Sequence, residues 1–366
     1  MRLCMRLLPT KQCQAGMRLG KGIYNEEGII LLGINVSLTD HLINRLIQLG
    51  IDYLYVQDPN TDDIEIKSPL SEQTRFKAIT EIRSNFRSLM DQAASKRAVK
   101  NPTLGKSFNN ILQTIIDELS DHKEALIMLT DINVMSNYIY NHSLNVAIIC
   151  ISLGITHGYS RNDLFALGLG SILHDIGKTK IQPELLNLNR TYTAEEYKEV
   201  QNHTVIGYQL LKDEPNIPLL AAHCAFQHHE RMDGSGYPRG IMGEEIHDFA
   251  KWIAIADSYD AMTNHRPYRD AMLPHEAMEI LYACTGTLYD RKKVAMFRDN
   301  VAIYPLGLTV KLNTGEKGVV TQINPNYPQR PIVRIFETSD GQLAQPIYEI
   351  DLSQKHTILI QSVNPQ

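Results

Sequence analysis

Between residues 134 and 300 apolar side chains return every three to four positions, at 146–153, 164–173, 200–211, 219–226, 252–262 and 277–281. That period lines one face of a helix, and its recurrence predicts a set of packed helices separated by short polar or proline-containing stretches. The constraint is most severe at residues 171–178, Ser-Ile-Leu-His-Asp-Ile-Gly-Lys, where the apolar run 165–173 ends directly on His174 and Asp175. An unpaired charge is strongly disfavoured in such a setting. Either the pair is capped and hydrogen-bonded, or both side chains ligate a divalent metal ion. The dipeptide alone leaves both readings open. Gly177 then breaks the helix, and Lys178 brings a mobile cation beside the pair.

Ionisable residues recur at the ends of the other predicted helices: His142, His203, His228-His229-Glu230, and Asp257 with Asp260. One His on an apolar face is more often a satisfied core residue than a ligand. Five His with at least two Asp, each on or beside an apolar helix, are harder to assign that way. Imidazole and carboxylate without thiolate suit Fe, Mn or Zn, and facing helices of a bundle commonly build two-metal sites from such residues. Asp260 lies one turn after Asp257 and either orients a ligand His or forms a plain helix salt bridge. Glu230 caps the chain or pairs with Arg231. The stretch Asp233-Gly234-Ser235-Gly236-Tyr237-Pro238, taken alone, is a turn. His223, His247 and His265 read as ordinary, and Trp252 and Tyr259 as core.

The flanks differ in character. Residues 1–66 form a small α/β unit: a strand pair around Asn25-Glu26-Glu27-Gly28, a helix started by Thr39 or Asp40 and ended by Gly50, and a strand at 52–56. Residues 67–129 read as a helical linker carrying Ile79, Ile82, Phe86 and Leu89, then Ile111, Leu112, Ile115, Ile116 and Leu119; a long bridging helix of this kind can be a dimer seam. The main helical domain occupies 130–300. Residues 301–366 are β-rich, with runs at 308–312, 318–323, 332–336 and 357–360. The fold class is therefore mainly α, an all-helical core with a small N-terminal α/β unit and a small C-terminal β-rich unit. A net charge of −5 argues against nucleic-acid polymers or membrane surfaces bound through charge alone. Five cysteines without C-x-x-C spacing fit a reducing cytoplasm, and neither a signal peptide nor a transmembrane run is expected.

Four separated stretches together resemble the HD-GYP family, a branch of the metal-dependent HD phosphohydrolases. They are His174-Asp175-Ile176-Gly177-Lys178; His228-His229-Glu230-Arg231-Met232 continuing to Pro238; residues 255–262 from Ile255 to Met262; and Arg266-Pro267-Tyr268-Arg269. The resemblance covers about residues 130–300. It implies hydrolysis of cyclic di-GMP to linear pGpG and on to GMP, with another cyclic dinucleotide or a non-catalytic receptor as the alternatives. It further implies that His142, His174, Asp175 and Asp257 bind one metal, and that Asp175 bridges to a second held by His203, His228 and His229. Fe or Mn would be the ions, with a bridging hydroxide as nucleophile. Lys178, Arg266 and Arg269 would grip the phosphates, Lys178 being one candidate proton donor, while Gly236 and Tyr237 would shape the substrate pocket. Some relatives carry a Glu one turn before His142 for a third metal; Tyr138 stands there, so two ions are expected. Protein partners are expected at the N-terminal unit or the loop of Tyr237.

Overall fold

The computed structural model describes residues 5–24, 30–58, 61, 69–94, 104–121, 138–186, 188–264 and 271–364. The first unit contains β1 (Arg6–Pro9), a hairpin of β2 (Ile23–Tyr24) and β3 (Ile30–Leu32), α1 (Asp40–Gln48) and β4 (Tyr53–Val56). Thr39 Oγ1 accepts a hydrogen bond from Leu42 N and so supplies the capping oxygen of α1. Ile43 and Leu46 then turn inward against Leu19, Ile23 and Leu54. β4 pairs antiparallel with β1, a strand that the sequence reading left unassigned.

The helical part contains α2 (Glu72–Ala94), α3 (Leu104–Asp121), α4 (Tyr138–His157) and α5 (Arg161–Leu173), a 3-10 turn at Ile176–Lys180, then α6 (Pro183–Leu186) and α7 (Ala194–Gln201). There follow α8 (His203–Leu211), α9 (Leu219–Gln227), α10 (Asp248–Thr263), α11 (Pro274–Ala283) and α12 (Arg291–Asn300). α4 and α5 are apolar all round and belong to two cores at once. One face packs with α2, α3 and α9, the other with α10, α11 and α12. α4 is long and apolar enough to cross a membrane by length and composition, but 72% of that span is buried inside the protein. Gly170 lets α5 and α9 approach closely, since a Cβ there would come within 2.7 Å of Cys224 Sγ.

Two features differ from the sequence reading. Ala78, Ile82 and Phe86 of α2 and Leu112, Ile115 and Ile116 of α3 are fully or almost fully buried in the same core as α4 and α5, so the segment expected as a linker packs as part of the helical body. The boundaries expected at 66/67 and 129/130 fall outside the described residues. The single apolar run 200–211 is two helices, broken at Asn202.

At the C-terminus β5 (Thr309–Leu312), β6 (Lys317–Asn324), β7 (Tyr327–Glu337), β8 (Leu343–Asp351) and β9 (Ile360–Val363) form one antiparallel sheet in the order β8-β7-β6-β5-β9. Its core includes Val310, Leu312, Val320, Val333 and Ile335, closed by Leu7 of β1 and Tyr55 of β4. Leu7 N donates to Gly307 O at 2.8 Å and Arg6 Nε to Thr309 Oγ1 at 2.9 Å. The first and last units of the chain therefore share a core.

Candidate metal centre

The helix ends that carry the ionisable residues meet in one place. α4 supplies His142, the end of α5 supplies His174 and Asp175, the start of α8 supplies His203, the end of α9 supplies His228 and His229, and α10 supplies Asp257. These seven fall into two groups, His142 with His174 and Asp257, and Asp175 with His203, His228 and His229. Within each group the candidate ligand atoms lie within 4.8 Å of one another. Asp175 stands between them. Its Oδ1 is 3.3 Å from His203 Nε2 and 3.7 Å from His228 Nε2, while its Oδ2 is 3.5 Å from His174 Nε2 and 3.8 Å from His142 Nε2. One carboxylate thus addresses both groups with different oxygens.

A repeated local device aims the imidazoles. His174 Nδ1 meets the carbonyl of Ser171 at 2.7 Å, His203 Nδ1 that of Val200 at 2.7 Å, and His228 Nδ1 that of Ala225 at 3.0 Å. A carbonyl only accepts, so Nδ1 carries the proton and Nε2 presents its lone pair inward. The acceptor sits three residues before the His each time, the spacing of one helical turn. His142 uses a carboxylate instead: its Nδ1 donates to Asp260 Oδ2 at 2.7 Å, and Asp260 Oδ1 accepts from Asn145 Nδ2 at 2.9 Å. Asp260 is fully buried and bonded to this ligand candidate.

Burial pulls the His203 imidazole down to about 3 and pulls those of His228 and His229 below the usual range, so all three are neutral at physiological pH. For His142 burial acts in the same direction, but hydrogen bonds to Asp257 and Asp260 outweigh it and raise the group to about 9. Burial would raise Asp175 and Asp257. The cation of Lys178 and the proximity of His174 overcome this at Asp175, and His142 overcomes it at Asp257, so both carboxyls are held well below their ordinary range. Among the described residues His174 Nε2 and Asp175 Oδ1 are buried acceptors without a hydrogen-bond partner. Such atoms are costly to leave unsatisfied. Neutral imidazoles at His203, His228 and His229 and ionised carboxylates at Asp175 and Asp257, with these orphaned lone pairs, fit divalent transition ions.

Two glycines hold the centre together by close approach. A Cβ on Gly177 would lie 1.9 Å from His203 O, so only a glycine lets the 3-10 turn after Asp175 touch the first turn of α8. A Cβ on Gly236 would lie 2.4 Å from His229 O and 2.5 Å from Arg231 N, so this residue seats its loop on the backbone that carries His229. Tyr237 stacks on His229 with ring centroids 4.7 Å apart. Lys178 Nζ lies 2.5 Å from Asp175 Oδ2, with the side chain 24% exposed at the edge of the site. Arg266 and Arg269 lie outside the described residues, as does the side chain of Tyr138. The sequence reading gave Asn145 no role and took Glu230 as a cap or a partner of Arg231. Glu230, 2% exposed, accepts from Arg239 N at 2.9 Å and Ile241 N at 3.2 Å and so anchors the far side of the glycine-rich loop.

Residues 113–292 match the model of the HD domain, and residues 309–366 match that of the KOW domain associated with HD domain. The cyclic di-GMP phosphodiesterase PA4108 of Pseudomonas aeruginosa is 31% identical over 244 residues, covering 66% of this chain and 59% of that protein. A cyclic di-GMP phosphodiesterase of Thermotoga maritima is 34% identical over 183 residues, covering 50% and 49%. A 3'3'-cGAMP-specific phosphodiesterase of Vibrio cholerae is 35% identical over 157 residues, covering 43% and 36%. The chain spans between 36% and 59% of the length of these curated relatives. Among solved structures, Bd1817, an HDG"Y"P protein from Bdellovibrio bacteriovorus, superposes with a TM-score of 0.50 at 17% identity, over 81% of this chain and 98% of that one, and shares its fold.

Proposed function

From the premise that the chain belongs to the HD-GYP branch of the HD domain family, we propose that it is a metal-dependent phosphodiesterase that opens cyclic di-GMP to pGpG and carries the product on to GMP. The observation that carries the reading is the carboxylate of Asp175, shared between two imidazole-bearing groups and buried with an orphaned oxygen. His142, His174 and Asp257 would hold one divalent ion and His203, His228 and His229 the other, with Asp175 common to both and Fe or Mn as the metal. A pair of such ions supplies Lewis-acid stabilisation of a phosphodiester and lowers the pKa of water from ~15.7 toward neutrality.

The chain's own residues do the rest. Imidazoles aimed by carbonyls three residues earlier are pre-organised, so little reorientation accompanies loading. Lys178 sets a cation at the edge of the site, where it meets a substrate phosphate and can protonate the departing ribose oxygen. Tyr237, stacked on His229, and the loop seated through Gly236 form one wall of the substrate pocket. Arg266 and Arg269 are assigned to phosphate binding on their match to the family motif alone. A cytosolic setting, where cyclic dinucleotides are found, goes with this reading. Protein partners at the N-terminal unit or the Tyr237 loop, and a homodimer, remain part of the proposal.

The test is metal analysis of anaerobically purified protein, then product chromatography with cyclic di-GMP, alongside Asp175→Ala. Two transition ions per chain, linear product, and loss of both in the variant are expected. No turnover with Mn or Fe supplied sinks the enzymatic reading, and ligand binding that survives Asp175→Ala points to a receptor instead. The mixed GMP–AMP ring is the second substrate to try, because relatives in Vibrio cholerae are specific for it.

A further inference from the structure

α2 lies outside the region matched to the HD domain, which begins at residue 113, yet it hydrogen-bonds to neighbours of the metal centre near both of its ends. Near its C-terminal end the carbonyl of Leu89 accepts from Lys180 Nζ at 2.9 Å, and Lys180 closes the 3-10 turn that carries Lys178. Near its start Arg75 Nη1 donates to Asn145 Oδ1 at 3.1 Å. Asn145 passes its own N–H to Asp260 at 2.9 Å, and Asp260 receives His142 Nδ1 at 2.7 Å. Asn145, Asp260 and His142 are each at most 4% exposed, so this chain of hydrogen bonds runs through the interior and ends on a candidate metal ligand.

The directions of the donors fix the logic. Arg75 has only N–H groups and must donate, which commits the Asn145 oxygen as acceptor and turns its amide nitrogen toward Asp260. The Asp260 carboxylate, which can only accept, selects the same orientation from the other side, so Arg75 and Asp260 clamp the Asn145 amide between them. With its amide reversed, Asn145 would present an oxygen to the Asp260 carboxylate and push away the group that orients His142. The N-terminal unit reaches the same helix one turn earlier, where Tyr24 Oη donates to Glu72 at 3.3 Å.

We infer that Arg75 is a positioning residue for His142, acting through Asn145 and Asp260, and that α2 is thereby part of the machinery of the metal centre. The inference rests on the metal reading above. It is tested by Mn2+ titration of the full chain against a chelator of known affinity, in the wild type and in Arg75→Met, Arg75→Lys, Asn145→Leu and the double variant Arg75→Met/Asn145→Leu. Arg75→Met should weaken one of two Mn2+ steps by about 10- to 100-fold while leaving the other step and the melting temperature in place. Arg75→Lys, which keeps a donor, should recover most of the loss. Because the residues act in series, the double variant should be no weaker than the worse single one. Equal Mn2+ affinity in the wild type and Arg75→Met, or losses that simply add, overturns the inference alone. A wild type that takes up no Mn2+ overturns the metal reading, and the inference with it.

Discussion

Gly177→Ala isolates the contact between the turn after Asp175 and the helix that begins with His203. The added methyl would sit 1.9 Å from His203 O, 2.8 Å from its carbonyl carbon and 2.7 Å from Gly207 N, whereas ordinary contact begins at 3.4 Å. Restoring contact therefore needs a displacement of 3.4 − 1.9 = 1.5 Å, and the atoms in the way are helix backbone, which has no rotamer to change. Overpacking of this kind costs about 1–3 kcal/mol. A metal or catalytic site tolerates roughly 0.5 Å, and a misplacement of about 1 Å can cost 100-fold in rate. The displacement falls on His203, now 3.3 Å from Asp175 Oδ1. His142 and Asp257, on α4 and α10, take no part in this contact. The expected result is a fall from two ions per chain toward one, measured by elemental analysis, with turnover lowered by about 100-fold or more and a cooperative melt retained. Gly33→Ala, where a Cβ would meet nothing within 4 Å, is the matched control and should be neutral. Two ions per chain and unimpaired turnover in Gly177→Ala would refute the close-approach argument.

Glu230→Ala removes the acceptor for Arg239 N and Ile241 N in a buried place, so the loop at 231–242 should become sensitive to limited proteolysis while the core melts within about 3 kcal/mol of wild type; an unchanged digestion pattern counts against its anchoring role. The raised His142 group gives a pH dependence of opposite sign with and without metal. A folded value of about 9 against an ordinary ~6.5 means that this group's contribution to apo stability is complete below about pH 6.5 and is lost as the pH rises through about 9. Metal must displace the same proton, so Mn2+ affinity should climb about tenfold per unit over that interval. Melts with and without Mn2+ at pH 6.5 and 8 should diverge, and parallel curves would show that His142 carries no proton in the apo protein.

The parts of this site that were legible in the sequence are those set by local chemistry. His174 and Asp175 end an apolar run, where burial demands a partner of some kind, and His142, His203, His228 and Asp257 stood out as ionisable residues on or beside apolar helices, while their grouping as ligands came only from the family resemblance. The carbonyl acceptors follow from helical spacing once a His is suspected. Gly177 was seen, but as a helix breaker; its actual constraint is contact with a backbone 26 residues away, which no local pattern encodes. α12 was missed because charges dominate Arg291–Asn300 and, of its apolar residues, only Val294 and Phe297 are buried. β8 was missed for a related reason, since most of its side chains face outward and the strand shows no run of buried residues. Arg75 lay beyond reach because its role depends on α2 docking against α4, a tertiary event.

The seating of Leu7 and Tyr55 over the terminal sheet has a practical meaning for anyone who would trim or transplant this protein. A segment that lends its apolar side chains to the far end of the polypeptide cannot be excised as a detachable sensor. Removing it strips the lid from the last module as well. Chimeras that exchange the opening unit must bring a compatible replacement for Leu7 and Tyr55, or the closing module will arrive with its interior open to water.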